Sequence, residues 1–291
     1  MKNVDLALYK AKSEGRGAYR FFDDAMGIEA RTRHARQIDL RNALSNNEFE
    51  LHYHPTVDID TMEIASIEAL IRWRHPRRGL LAPFDFIPLA EEAGLINPIG
   101  EWVLRKACND ATYWPSHIRV SVNLSAIQLR KAGVIDNIRK LLNESGLSPE
   151  RLELEVTEAV LLQGNNETVE TLHQLRLMGI SVVLDDFGTG YSSLSHLRMF
   201  PFDKIKIVRS FVHEIAKSPD CAAFVSAVAG LGRSFRIGTV AEGVETKDQL
   251  TLVRAAGCTY AQGFLFGLPC PLAGLKFQRL PQCNQKDDAA A

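Results

Sequence analysis

SVVLDDFGTGYSSL, residues 181–194, joins a short apolar run to two adjacent carboxylates. Val182, Val183 and Leu184 read as a buried strand, and Gly188 and Gly190 punctuate the residues beyond it. Asp185 and Asp186 stand side by side at the strand's end. Crowded like charges are unfavourable unless something positive sits between them. Either both carboxylates face water or a cation belongs with them. The pattern of an apolar run closing on a polar side chain recurs along the chain, and that recurrence decides the fold.

Outward from this stretch, similar runs are FELHYHPTVDI, IASIEALIRW, IRVSVNL, RLELEVT, ISVVLDD, FDKIKIV, RIGTVAE and CTYAQG. Amphipathic segments at 98–114, 164–178 and 216–232 lie between several of them. Some eight strands alternating with helices predict an α/β fold closed as a (β/α) barrel rather than an open sheet. Only DIDTME separates the first two runs, too little for a crossover helix. Those two form a hairpin, and one strand runs against the rest.

Composition narrows the class. The 291 residues are 46% hydrophobic and 24% charged, as in an ordinary globular protein. With 34 basic and 35 acidic residues the net charge is −1, which argues against a broad DNA or RNA binder. No apolar run reaches the ~20 residues of a bilayer span, so no direct membrane insertion is expected. The first residues carry charges where a signal peptide needs an apolar centre. Cys108, Cys221, Cys258, Cys270 and Cys283 form no CxxC pair, which fits a reduced, cytoplasmic chain, or the cytoplasmic part of a larger, membrane-tethered protein. Residues 1–23 read as a helix and a strand too small to bury a core. Residues 24–48 read as a basic linker helix, 49–280 as the barrel and 281–291 as a disordered tail.

The runs end at polar residues: Glu68, Asn123, Glu155, Asp185 with Asp186, Lys206, Glu242 and Gln262. Singly, each is an ordinary turn or helix-cap position. In a parallel barrel, however, the C-terminal strand ends share one face, where active sites are built. Five carboxylates, two amides and a lysine converging there suit hard divalent cations bound through oxygen. One aspartate of the pair could bridge two ions and the other bind the second alone. Two such ions would clamp a phosphodiester and generate a hydroxide, and a nearby lysine would orient it or stabilise developing charge. The DFG at 186–188 is not a kinase signal, because the partner motifs of a kinase are missing.

EALIRW (68–73), VNLSAIQL (122–129), LELEVTE (152–158), DDFGTGYSSL (185–194), AEGVET (241–246) and QGFLFGLP (262–269) resemble, in order, the EAL-domain cyclic di-GMP phosphodiesterases. The resemblance implies a modified TIM (β/α)8 barrel with one antiparallel strand. It implies hydrolysis of the bacterial second messenger cyclic di-GMP to linear pGpG with two ions, Mg²⁺ or Mn²⁺, and a homodimer. Glu68, Asn123, Glu155 and Asp185 then look like ligands of a first metal, and Asp185 and Asp186 of a second. Lys206 and Glu242 look like the groups that position or activate the attacking water. Arg72, Gln262 and His54 look like substrate contacts, Arg72 to a phosphate. Glu158 looks like the anchor of the loop after Asp186, which in the family also links to the dimer interface. VDLALYKAKSEGRGAYRFF near the N-terminus is similar to the end of a GGDEF diguanylate cyclase domain, although no GG(D/E)EF signature is present.

Two departures stand out. The family's KIDRSFV is KIVRSFV here, so Val208 replaces an acidic residue expected to partner Lys206 or the metal and water network. The family's YQP is YHP, so His54 replaces a glutamine. His52 and His54, two apart on a strand, could also suggest a metal pair, but an altered ligand contact is the preferred reading. These departures leave open a weakened phosphodiesterase or a cyclic di-GMP receptor that binds without cutting. A barrel kept as a dimerisation scaffold is the third reading.

Overall fold

The strands are short, apolar on one side and polar on the other, yet buried on both. In β5, Leu152–Thr157, the alternating Leu152, Leu154 and Val156 are fully buried. Glu153 and Glu155 between them are 1% and 4% exposed. Successive side chains of a strand point to opposite faces. One face of β5 therefore meets apolar packing and the other meets a polar bore.

The computed structural model describes residues 24–163, 166–188, 200 and 202–277. The segment 1–23, the tail 281–291 and loop residues 189–194 lie outside the described residues. The chain divides into two packed units, one of residues up to Phe49 with Trp73–Leu95, the other of Glu50–Arg72 with residues from Ile96 onward.

The larger unit holds the barrel. Its strands are β1 (Phe49–Asp58), β2 (Ile64–His75), β4 (Arg119–Asn123), β5, β6 (Ser181–Phe187), β7 (Lys204–Ile207), β8 (Gly238–Glu242) and β9 (Tyr260–Gln262). The first and last residues of β1 and β2 respectively fall in the smaller unit. From β2 through β4 to β9 every neighbour is parallel. β1 pairs antiparallel with β9, Thr56 opposite Gln262, and also pairs with β2, which closes the barrel. The modified TIM barrel with one antiparallel strand is therefore the fold. A short β10 (Cys270–Pro271) adds to β1.

Helices take the connecting positions. In the helix Ile96–Ala111, Ile96, Ile99, Gly100, Val103, Leu104, Ala107 and Cys108 are buried at the i, i+3, i+4 spacing of one helical face. The helix Lys247–Ala256 starts with a capping box in which the Gln249 amide donates to Thr246 Oγ1, and ends at Gly257. Helices Asn166–Leu177 and Pro219–Phe235 lie close to the expected segments.

The smaller unit contains the helix Asp24–Ser45, β3 (Gly79–Leu81) paired with the end of β2, and the helix Ile87–Glu92. Phe49, Trp73 and Phe86 form its aromatic centre, with ring centroids 5.7–6.1 Å apart.

One expectation about strand limits is corrected. Glu68 does not end its strand, because β2 continues to His75. The residues after it keep the alternation of a strand, and their backbone finds a partner in β3.

Candidate active site

The site is assembled from the successive parallel strands β2 and β4 to β9, whose side chains meet across the bore. Lys206, 3% exposed, projects from β7 into the bore. Its Nζ lies 2.8 Å from Glu155 Oε2, 2.8 Å from Glu242 Oε1, 3.2 Å from Glu68 Oε2 and 3.6 Å from Asp185 Oδ1. Two amides complete the setting of Glu68. Asn123 Nδ2 donates to its Oε1 at 2.8 Å, and Gln262 Nε2 to its Oε2 at 3.0 Å. Six of the residues expected to meet are thus bound to one another directly, with Asp185 beside them.

Asp186 joins through a backbone irregularity. In a regular strand, neighbours 185 and 186 would point to opposite faces. Here the pairing of β6 with β7 shifts register between Leu184 and Phe187, and Asp186 adopts φ +55°. Such bulges re-aim side chains, and aspartate tolerates the left-handed region better than most residues. Carboxylate oxygens of Asp185, Asp186 and Glu242 consequently lie within 4.8 Å of one another. The paired aspartates sit at a bulge that leaves Asp185 half-buried and Asp186 exposed.

The charges do not balance. Glu68, Glu155, Asp185, Asp186 and Glu242 face one lysine. Burial pushes the Glu242 carboxyl up to about 7 against the pull of Lys206, with Asp185 adding to the rise. Burial, then Glu68, raises Glu155 well above the usual carboxylate range. Burial and Asp185 raise Asp186. Glu68 goes the other way, because Lys206 and the two amide donors outweigh its burial. For Lys206, burial alone would lower the pKa, but Asp185, Glu155, Glu242 and Glu68 together hold it well above the ordinary value.

The remaining expected residues line the same bore or its surroundings. Arg72 is four residues beyond Glu68, on the same side of β2, and donates to the Ile71 carbonyl at 2.9 Å. Burial lowers its pKa. His54 lies on β1, its ring centroid 6.3 Å from that of Phe264. Its Nε2 is buried with no hydrogen-bond partner among the described residues, and burial lowers its pKa. His52 lies 3.0 Å from Glu50 Oε1 instead of pairing with His54. Glu158, 4% exposed, opens the helix Glu158–Gln163, and the loop it was expected to anchor falls mostly outside the described residues. The β8–β9 pairing sets Gln262 opposite Glu242, and the next residue is Gly263, where a Cβ would lie 2.2 Å from the Val244 carbonyl oxygen.

The expectation for Val208 is corrected in one respect. Lys206 is not left unpaired by the missing acid, since four carboxylates already surround it. Val208 is half-buried at the N-cap of the short helix Arg209–His213 and offers no side-chain cap.

The strand-end reading overlooked a second polar layer. Glu153, Lys204, Ser66 and Ser121 are all buried, two residues before Glu155, Lys206, Glu68 and Asn123. Its signal was present as repeated i, i+2 polar pairs in ELE, KIK, SIE and SVN.

Comparison with known proteins agrees with this geometry. The family model described as the EAL domain matches residues 37–269. An uncharacterized signaling protein of Caulobacter vibrioides is 47% identical over 275 residues, covering 94% of this chain and 34% of that protein. The bifunctional diguanylate cyclase/cyclic di-GMP phosphodiesterase MucR of Pseudomonas aeruginosa is 43% identical over 275 residues, covering 93% of this chain and 40% of that protein. The chain thus spans well under half the length of these relatives. The solved PaMucR phosphodiesterase, in complex with c-di-GMP, superposes with a TM-score of 0.77 at 44% identity, covering 80% of this chain and 96% of that one. On the family match and these identities, the chain belongs to the EAL domain family.

Proposed function

We propose that this chain hydrolyses cyclic di-GMP to linear pGpG with Mg²⁺ or Mn²⁺. The observation that carries the reading is the surplus of five carboxylates over one lysine, with Glu68 and Glu155 buried, Asp185 and Glu242 half-buried and Asp186 at the exposed mouth. The donor set is oxygen only, which fits hard divalent cations. Glu68, Asn123, Glu155 and Asp185 would hold one ion, and Asp185 and Asp186 a second. When bound, the ions supply Lewis acidity to the phosphodiester and offset the carboxylate charge. The relatives named as cyclic di-GMP phosphodiesterases supply the substrate class.

The chain's own groups divide the remaining work. Lys206 is a buried donor whose charged form the surrounding carboxylates favour, and it orients the attacking water and stabilises charge developing on the phosphoryl oxygens. Glu242, with its carboxyl near 7, accepts a proton from that water around neutral pH. The water oxygen joins phosphorus, and the ribose 3′ oxygen leaves and takes up a proton. Arg72 offers a planar guanidinium to a ligand phosphate. Gln262 and His54 contact the ligand, and Glu158 anchors the loop after Asp186. Val208 and His54 reduce the rate relative to a chain with the family's usual residues.

The wider setting belongs to the same proposal: residues 1–23 as a GGDEF remnant, a homodimer and a cytoplasmic location. Among the described residues no helix is long and apolar enough to cross a membrane. The test is incubation with cyclic di-GMP and Mn²⁺ or Mg²⁺, with pGpG followed by chromatography. Formation of pGpG supports the enzyme; ligand binding by calorimetry without pGpG would make the chain a receptor instead.

A further inference from the structure

Four strands of the bore carry polar residues two apart: Ser66 and Glu68, Ser121 and Asn123, Glu153 and Glu155, Lys204 and Lys206. Strand alternation puts both members of each pair on one side. The later members form the candidate site, and the earlier ones lie beneath it. In that lower layer Lys204 Nζ donates to both oxygens of Glu153, at 2.7 and 2.9 Å, and to Ser66 Oγ at 3.3 Å.

Ser121 reaches upward. It is 2% exposed, and its hydroxyl donates to Glu155 Oε1 at 2.6 Å. The other oxygen of that carboxylate, Oε2, accepts from Lys206 at 2.8 Å. The terminal torsion of a glutamate is intrinsically broad. Two donors from two different strands, one on each oxygen, remove that freedom. Rotation of the carboxylate about its last bond would break one or both hydrogen bonds inside a buried bore, where an unmade bond is costly.

We propose that Ser121 is a positioning residue whose hydroxyl fixes the plane of the Glu155 carboxylate and thereby sets the affinity of the site for divalent cations. The inference rests on Glu155 being a metal ligand, as proposed above. Ser121 touches neither substrate nor reacting atoms; it acts through Glu155. Partners that orient metal-binding carboxylates typically change affinity by about 10–100-fold when removed.

The test is calorimetric titration of the whole chain with Mn²⁺, comparing wild type, Ser121→Ala, Ser121→Thr and Ser66→Ala, with circular dichroism in chelator as the folding control. Ser121→Ala is expected to weaken Mn²⁺ binding by about tenfold or more. Ser121→Thr, which keeps the hydroxyl, is expected to retain most of the affinity. Ser66→Ala disturbs the lower layer without touching Glu155 and is expected to leave Mn²⁺ affinity unchanged. Wild-type affinity in Ser121→Ala, or an equal loss in Ser66→Ala, would overturn the inference alone. No Mn²⁺ binding by the wild type would overturn it together with the metal reading. Should the alanine variant fail to fold, Ser121→Cys, with a weak donor of similar size, decides by the same criterion.

Discussion

The two polar layers of the bore are built from the same strands and differ in charge balance. Below, Glu153 meets Lys204, and Arg119 approaches it at 3.3 Å. Above, Lys206 meets four carboxylates, with Asp186 beside Asp185. In the lower layer one carboxylate thus has two cationic partners, the buried Lys204 and the part-exposed Arg119, and there is no negative surplus. The upper layer has more negative charge than its lysine can offset, and burial pushes the carboxyls of Glu242, Glu155 and Asp186 upward.

That contrast can be broken experimentally. Glu68→Ala should abolish Mn²⁺ binding and reduce pGpG formation to background, while leaving the fold intact by circular dichroism; residual turnover well above background would remove Glu68 from the metal set. Lys204→Met leaves Glu153 with only the part-exposed Arg119, and breaking a buried pair costs up to about 3–5 kcal/mol, to be read by urea denaturation. Replacing both partners, Lys204→Met with Glu153→Leu, should recover most of that loss, and failure to do so would mean the lower layer is more than a self-contained pair.

Val208→Asp should raise turnover by about 10–100-fold if the missing acid belonged to the network around the site. An unchanged rate would limit residue 208 to capping the helix after β7. The smallest effect is on pH dependence. Glu242 has a folded-state pKa of about 7 against an ordinary 4.5, so the folded chain binds its proton more tightly than the unfolded chain. The Glu242 contribution to stability in chelator should therefore grow as pH falls from about 7 towards 4.5, and be lost as pH rises through about 7. Saturating Mn²⁺ should flatten or reverse that slope, as seen by thermal unfolding at each pH.

Much of this was legible in the residues. The eight strands follow from apolar runs with helical segments between them, and the short DIDTME connection predicted the reversed strand. Glu68, Asn123, Glu155, Lys206, Glu242 and Gln262 were readable as one group because barrel strands share an end. Glu68 was misplaced along its strand because periodicity does not reveal that β3 will pair with the residues after it. The aspartate pair is visible in the sequence, but the left-handed Asp186 is not, since backbone register is a property of two strands together. Ser121 and the Glu153–Lys204 pair are not legible from the run ends, because they lie one strand repeat before the last polar residue of each run. The partner of Glu153 lies 51 residues away, on a strand with β6 between.

The seam between β1 and β9 bears on how the chain folds. The hydrogen bond from Gln262 to the His54 carbonyl joins residues 208 positions apart. Lys206 and Glu68, which meet in the bore, are 138 apart. Contacts of such sequence separation are slow to form, because chain entropy must be lost before they stabilise anything. Until the last strand emerges during synthesis, β1 and β8 would each present an open edge, a template for pairing with another chain. A product ending before Tyr260 would hold most of the acidic side chains and no closed barrel, so truncation should yield aggregates rather than a slower enzyme.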